Sequence, residues 1–292
     1  MPELPEVETI ATQLNKVARG LKIENIWTDA PKIIKRPSLS QFVKNIKGKI
    51  IEEIYRKGKN IIFKLSDDYF LVIHQKLTGH LLYGKWKEIS KGKFLADIEG
   101  PLKDDIKNQF LHFIIFLNNN FQIALSDLRK FAKVLLLKKE EFENLKELKS
   151  LGPDPLDKYF TFKDFKNILF KKRNGKIKQI LMDQNIISGI GNIYSDEILW
   201  WAKINPQRKV ASLKESELKE IFIAMKEILE KAIKLKGESI SDFRDIFGNK
   251  GNFDKMRKVY QKEGERCERC GGKIIRIKIG GRSSYYCPKC QQ

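Results

Sequence analysis

Two stretches of this chain carry residue types that can do chemistry. One is the opening Met1-Pro2-Glu3-Leu4-Pro5-Glu6-Val7-Glu8. Proline at position 2 is small enough for the initiator methionine to be trimmed, which would leave Pro2 with a free secondary amine. A terminal α-amine has a pKa near 7.7–8.0 against about 10.4 for lysine, so near pH 7.5 roughly a third of it is unprotonated, against about 0.1% of a lysine. Such an amine attacks the aldehyde carbon of a sugar and forms an iminium, as catalytic amines do. Glu3 stands beside it as an acid/base, with Glu6 and Glu8 following. With Met1 in place the proline nitrogen is an amide and inert. The same residues also suit a helix start. Pro5 fits a first turn and acids there complement the helix dipole. Val7, Ile10, Ala11, Leu14, Val17 and Leu21 then form an apolar stripe. Capping alone does not require a proline at the terminus.

The other stretch is Cys267-x2-Cys270-x16-Cys287-x2-Cys290, which uses all four cysteines of the chain. The spacing fits a four-thiolate zinc ribbon holding one structural Zn²⁺, since four thiolates leave no open position for catalysis. Two disulfides would need an oxidising compartment, and the N-terminus has neither the basic region nor the apolar core of a signal peptide. Ile275, Ile277 and Ile279 alternate with Arg276 and Lys278, so a strand here has one apolar and one basic face. Gly280-Gly281 turns the hairpin and leaves Arg282 at its tip, where it can reach a DNA phosphate or the minor groove.

The elements that must position these residues fall into two halves. Residues 22–29, 49–56, 61–65, 70–74, 110–117, 122–126 and 132–137 are short β-rich runs bounded by turn residues. So many strands without intervening helices predict an antiparallel sandwich or barrel. Asn118-Asn119-Asn120 suits a hairpin turn, whereas 84–107 offers no periodicity. Leu151-Gly152-Pro153-Asp154-Pro155-Leu156 breaks both helix and strand and reads as a linker. Beyond it, 162–169, 177–183, 195–202 and 213–236 read as helices. The fold class expected is α+β. The expected domains are a β-sandwich at 1–150, a linker at 151–157, a helical part at 158–260 and a zinc finger at 261–292.

Lys+Arg 57 against Asp+Glu 37 gives a net charge of +20, and part of such an excess suggests a polyanionic partner. A lysine-rich proteome accounts for the remainder. No apolar run approaches the roughly 18 residues of a membrane span. These features predict a cytosolic protein with no membrane partner.

The opening closely resembles the start of the formamidopyrimidine-DNA glycosylase family, whose mature chains begin Pro-Glu-Leu-Pro-Glu-Val-Glu. The related endonuclease VIII branch usually has glycine where this chain has Leu4. The resemblance implies that Pro2 is the nucleophile and Glu3 the proton donor, and it continues along the chain in family order. The turn Arg56-Lys57-Gly58-Lys59 would by itself be a solvated turn; in the family it holds a lysine on the phosphate near the lesion, which falls on Lys59. His74-Gln75-Lys76-Leu77-Thr78-Gly79 matches a loop whose methionine pushes into the base stack; Leu77 takes that place, and is otherwise a core residue. Asp127-Leu128-Arg129-Lys130-Phe131 resembles the loop in which an arginine faces the orphaned cytosine and an aromatic wedges the duplex, which gives Arg129 and Phe131 those roles. The family's glycine after it is Ala132 here, and its His-rich sequence is replaced by Lys107-Asn108-Gln109-Phe110. Gly191-Asn192-Ile193-Tyr194 matches the helix-two-turns-helix motif and gives Asn192 the phosphate next to the lesion. The loop 237–243 corresponds to one that closes over the flipped purine. Arg282 is the zinc-finger arginine.

The function implied is that of a bifunctional DNA glycosylase and lyase of base excision repair. It would flip an oxidised purine, 8-oxoguanine or a formamidopyrimidine, out of double-stranded DNA. It would expel the base through a Pro2 Schiff base at C1′ and cut the strand by β- and δ-elimination. The expected state is a monomer in the bacterial cytosol at the nucleoid, with the site in the cleft between the halves. Two alternatives remain open: an endonuclease VIII-like enzyme for oxidised pyrimidines, and a non-enzymatic zinc-ribbon DNA-binding protein.

Overall fold

A computed structural model describes residues 1–239 and 242–292; Ile240 and Ser241, in the loop 237–243, lie outside the described residues. The chain divides into two compact units, Met1–Lys149 with Leu235–Asp254, and Ser150–Lys234 with Lys255–Gln292. The segment after the long helix of the second unit thus packs with the first.

The first unit begins with α1 (Leu4–Ala18), whose buried Leu4, Val7, Ile10, Ala11, Leu14 and Ala18 recur at helical spacing. There follow β1 (Ile23–Thr28), β2 (Ile34–Arg36), α2 (Leu39–Ile46), β3 (Ile51–Lys57), β4 (Asn60–Leu65), β5 (Tyr69–His74) and β6 (His80–Gly84). Next come β7 (Trp86–Ser90), β8 (Lys93–Ala96), α3 (Pro101–Asp104), β9 (Leu111–Leu117), β10 (Gln122–Ser126), β11 (Lys133–Lys138), α4 (Lys139–Glu143) and α5 (Lys146–Lys149).

Two sheets form the sandwich. One has the order β1-β9-β10-β6 and the other β2-β11-β5-β4-β3. Neighbours are antiparallel except β2 and β11. Alternate residues of both sheets, among them Phe113, Ile115, Leu125, Phe63, Leu71 and Ile73, join α1 in one core. The other face of the four-stranded sheet is also covered. Leu82, Ile114 and Ala124 pack there under Trp86, Ala96 and Leu102. The aperiodic run 84–107 is therefore the lid of that face. It explains why β9 is apolar almost throughout: a strand buried on both sides has no polar alternation.

Topology fixes where two loops must lie. β5 pairs with β11 and β6 pairs with β10, so the connections β5–β6 and β10–β11 both cross from one sheet to the other. His74 pairs with Lys133 on one sheet and His80 with Ser126 on the other. The two crossovers, 75–79 and 127–132, consequently run side by side.

The second unit contains α6 (Phe162–Phe170), α7 (Ile177–Met182), α8 (Asn192–Trp201) and α9 (Glu215–Lys234), followed by the hairpin β12 (Ile275–Ile279) and β13 (Arg282–Tyr286). Thr161 caps α6 through Asp164 in a capping box. The apolar face of α9 is Leu218, Ile221, Met225, Ile228, Leu229 and Ala232, all buried.

Candidate active site, phosphate contacts and zinc centre

Pro2 and Glu3 are both buried, while Met1 is exposed. Glu3 is the residue that caps α1, and its backbone N–H donates to Glu6 Oε2 at 2.7 Å. The helix runs antiparallel to β3. Asn15 Oδ1 accepts from Ile54 N at 2.8 Å, and Glu8 Oε2 pairs with Arg56 Nε at 2.7 Å. The beginning of α1 therefore lies at the end of the sheet where β3 turns into β4. That turn holds Lys59, which is 7% exposed. A lysine so buried is rare without a partner. Glu3 and Glu6 thus stand where the chain starts, and Lys59 lies on the turn at the same end of the sheet.

His74, at the end of β5, faces the same positive charge. Burial, with the charges of Lys76 and Lys59, pushes its pKa down to about 4. Burial likewise pushes His80 down to about 4, and its Nε2 lies 3.0 Å from Asn108 Oδ1. Because the Asn108 amide nitrogen donates to Pro101 and Gly248 carbonyls, its oxygen is the acceptor and His80 Nε2 carries the proton.

The Glu6 carboxylate has a second partner. Its Oε1 accepts the backbone N–H of Glu238 at 2.8 Å, at the start of the loop 237–243. A Cβ on Gly237 would lie 2.6 Å from Glu6 Oε1, and Gly237 has φ +77, so glycine is required there. At the far end of the loop, Arg244 Nε bonds Asp105 Oδ2 at 2.6 Å and its guanidinium also holds the Phe243 carbonyl.

Leu77 sits in the β5–β6 crossover and is 39% exposed; Phe131 sits in the β10–β11 crossover and is 51% exposed. The Arg129 guanidinium lies 4.5 Å from the centroid of the Phe131 ring, a cation–π pair at the loop surface. Leu77, like Phe131, is thus presented outward rather than packed in the core.

In the second unit Asn192 is the first residue of α8, after Gly191. Its Oδ1 is buried and has no hydrogen-bond partner among the described residues. What suits a phosphate at this helix start is its N–H donors, including the Asn192 amide NH₂, rather than that acceptor oxygen. Arg282 opens β13 next to the Gly280-Gly281 turn and is exposed. Gly280 approaches Gln179 so closely that a Cβ would meet Nε2 at 2.5 Å, so this tip rests on α7.

Sequence reasoning missed what docks the hairpin. Asp196 and Lys178 form an ion pair of 2.6 Å with both side chains fully buried. Asp196 also accepts from Ser284 Oγ and Tyr285 N on β13. Burial pushes Asp196 up to about 6 against the pull of Lys178. Glu197 accepts the N–H groups of Lys258, Val259 and Tyr260, and burial raises its pKa as well. The available signal was two acids inside the apolar sequence Ile-Tyr-Ser-Asp-Glu-Ile-Leu-Trp-Trp. Charges there are buried only if paired.

The four cysteine sulfurs lie within 4.8 Å of one another. Cys270 Sγ and Cys287 Sγ are 3.4 Å apart, and Cys267 Sγ and Cys290 Sγ 3.8 Å. A tetrahedron with Zn–S bonds near 2.3 Å has edges of about 3.8 Å. A disulfide needs about 2.05 Å. The donor set fits zinc, and the Trp200 indole N–H donates to Cys267 Sγ at 3.3 Å as an outer contact.

A two-sheet sandwich that begins with a buried Pro2 and Glu3, a helical unit and a four-cysteine ribbon together point to a DNA-repair glycosylase. Comparisons with known proteins agree. Residues 1–134 match the formamidopyrimidine-DNA glycosylase N-terminal domain, 151–244 its H2TH domain, and 264–292 the zinc finger found in FPG and IleRS. The formamidopyrimidine-DNA glycosylase of Pelotomaculum thermopropionicum is 38% identical over 292 residues, covering 100% of this chain and 99% of its own. That of Carboxydothermus hydrogenoformans is 37% identical, with 100% of both chains covered. The crystal structure of the Lactococcus lactis enzyme with DNA containing an abasic site matches with a TM-score of 0.85 at 34% identity, covering 99% of each chain. Its complex with a Fapy-dG containing DNA gives 0.84 at 35%, covering 99% of this chain and 100% of that one.

The chain belongs to the formamidopyrimidine-DNA glycosylase family. It is a glycosylase and AP lyase of base excision repair. No helix among the described residues is long and apolar enough to cross a membrane.

Proposed function

We propose that this chain removes oxidised purines from duplex DNA with Pro2 as nucleophile, once Met1 has been trimmed. The observation that carries this reading is a proline directly ahead of a helix whose capping residue, Glu3, is held by Glu6. The secondary amine attacks C1′ of the flipped nucleotide and the base leaves. Glu3 donates a proton to the sugar as its ring opens. The iminium acidifies the C2′ proton, and the two phosphates leave in turn by β- and δ-elimination. Lys59, Asn192 and Arg282 hold phosphates flanking the lesion. Leu77, Arg129 and Phe131 fill the space that the base vacates.

On this reading residues 1–150 are the catalytic sandwich, 158–260 the helical DNA-binding part after the linker 151–157, apart from 235–254, which packs with the sandwich, and 261–292 the zinc finger. The loop 237–243 closes over the flipped purine. The enzyme works as a monomer on nucleoid DNA, and its +20 charge supports a polyanionic partner.

Borohydride trapping on a duplex with a single 8-oxoguanine tests the nucleophile. The adduct should map to the N-terminal peptide without Met1, and protein that keeps Met1 should bind but not be trapped. An adduct on Lys59 would overturn the assignment. Leu4 and the Arg129–Phe131 loop favour purine lesions over pyrimidine ones. Faster cleavage at thymine glycol than at 8-oxoguanine would reverse that preference.

A further inference from the structure

The two sheet crossovers that carry Leu77 and Phe131 share a design. In each, a lysine with a left-handed backbone comes directly before the exposed apolar residue: Lys76 at φ 57 before Leu77, and Lys130 at φ 53 before Phe131. Such a backbone is strained for lysine and persists where the surroundings fix it. In the first loop, Lys76 N donates to His74 Nδ1 at 3.0 Å, and Gly79 N closes the turn onto the Gln75 carbonyl at 3.2 Å. Only glycine allows that closure, because a Cβ at Gly79 would lie 2.4 Å from the Gln75 carbonyl oxygen.

In the second loop the fixing group is Asp127, which is 1% exposed. Its Oδ2 accepts the N–H groups of Phe131 at 2.7 Å and Ala132 at 2.8 Å, and its Oδ1 that of Arg129 at 3.3 Å. Oδ1 also accepts the hydroxyl of Thr78, the residue after Leu77, and Thr78 Oγ1 in turn accepts Arg129 N at 3.3 Å. A buried carboxylate thus spans both loops, and charge-assisted bonds of this kind are the strong ones.

We propose that the Thr78–Asp127 hydrogen bond joins the two crossovers into a single wedge, so that Leu77 and the Arg129–Phe131 pair enter the duplex as one body. Asp127 and Thr78 are positioning residues. The inference rests on the reading of Leu77, Arg129 and Phe131 as wedge residues given above. Linked loops place the apolar filler and the arginine facing the orphaned base at the same moment, which shortens the time during which an opened stack can close again on the lesion.

The test uses Thr78→Val, which keeps the shape of the side chain and removes its hydroxyl, beside Thr78→Ser, which restores the hydroxyl. The substrates are a duplex with one 8-oxoguanine paired with cytosine, with 2-aminopurine next to the lesion, and the same duplex with a preformed abasic site. Thr78→Val should lower kcat for 8-oxoguanine excision tenfold or more and slow the 2-aminopurine signal equally. KM and the rate on the abasic duplex should stay within twofold. Thr78→Ser should recover excision to within threefold. Asp127→Asn should show the same split between substrates, and it decides the matter if Thr78→Val does not fold. Phe131→Ala separates the two readings. If Phe131→Ala slows excision while Thr78→Val does not, the linkage is refuted and the wedge stands. If Phe131→Ala leaves excision unchanged, the wedge reading fails and the linkage with it. Equal losses on both substrates reduce Thr78 to a fold-stabilising role and also refute the linkage.

Discussion

Glu6 and Glu238 are joined by a hydrogen bond of 2.8 Å from the Glu238 backbone N–H to Glu6 Oε1, while the other oxygen of the same carboxylate holds Glu3 N at 2.7 Å. One buried side chain thus connects the end of the chain that carries Pro2 to the base of the loop 237–243. A carboxylate can accept on both oxygens, whereas an amide has one acceptor and one donor. Glu6→Gln must therefore set an NH₂ against one of the two N–H groups. The expected cost is about 1–3 kcal/mol of stability, the penalty for leaving a buried donor unsatisfied. Excision should fall further than binding to undamaged duplex, because Pro2 and the loop both lose their support. Denaturant unfolding and single-turnover excision measure the two effects.

The zinc centre should carry one Zn²⁺ per chain. Cys287→Ser should release it, since three thiolates bind more weakly and Cys287 is a buried ligand at the end of β13. Arg282 stands on the same hairpin, so affinity for DNA should fall together with zinc content. Metal analysis and a DNA-binding titration on the same preparations test this. Zinc-free protein with full DNA affinity would contradict it.

Acid should destabilise the first unit through its buried histidines. His80 has a folded-state pKa near 4 against an ordinary value of 6.5. The unfolded chain therefore binds the proton more readily. The stability contributed by neutral His80 is complete above pH 6.5 and is lost as pH falls through about 4. The full window corresponds to about 3 kcal/mol. His74 adds a change of the same sign. Melting curves between pH 7.5 and about 4.5 should show a steeper loss for the wild type than for His80→Gln. Parallel curves would mean that His80 does not titrate in this window.

What the sequence disclosed and what it withheld follow from distance along the chain. The cysteine pairs were legible because their chemistry depends on neighbours within a few positions, and the roles proposed for Pro2 and Glu3 rest on the same kind of local spacing. Most strands of the two sheets announced themselves by β-rich runs, and the start of α8 by the glycines before it. The three-residue β2 was too short to show a period, and α2 and β6 were not picked out. Asp127 was in view inside Asp127-Leu128-Arg129-Lys130-Phe131, yet its partner Thr78 lies 49 positions away and meets it only because two crossovers run side by side. The lid 84–107 has no period of its own because it adapts to the outer face of a sheet, around Leu82 and Ile114. Asp196 and Glu197 were read only as part of a helix, because the groups they hold, on β13 and in Lys258-Val259-Tyr260, lie more than 60 positions further along the chain.

The buried pair Lys178–Asp196 allows the closing prediction. Both side chains are inaccessible, and Asp196 is at once the partner of Lys178 and the acceptor for Ser284 and Tyr285 on the zinc hairpin. Lys178→Met removes one charge and leaves the other in a site that water does not reach. Breaking such a pair costs about 3–5 kcal/mol, because the remaining charge is uncompensated. Asp196→Asn strands the lysine instead and should cost a similar amount. The double variant Lys178→Met with Asp196→Asn removes both charges and keeps one acceptor for the hairpin, so its loss should be smaller than the sum of the two single losses by at least about 2 kcal/mol. Denaturant unfolding of the four proteins with zinc present measures that coupling. DNA affinity should follow the same order, since the hairpin bearing Arg282 is held by Asp196. Additive losses would show that the two side chains act independently.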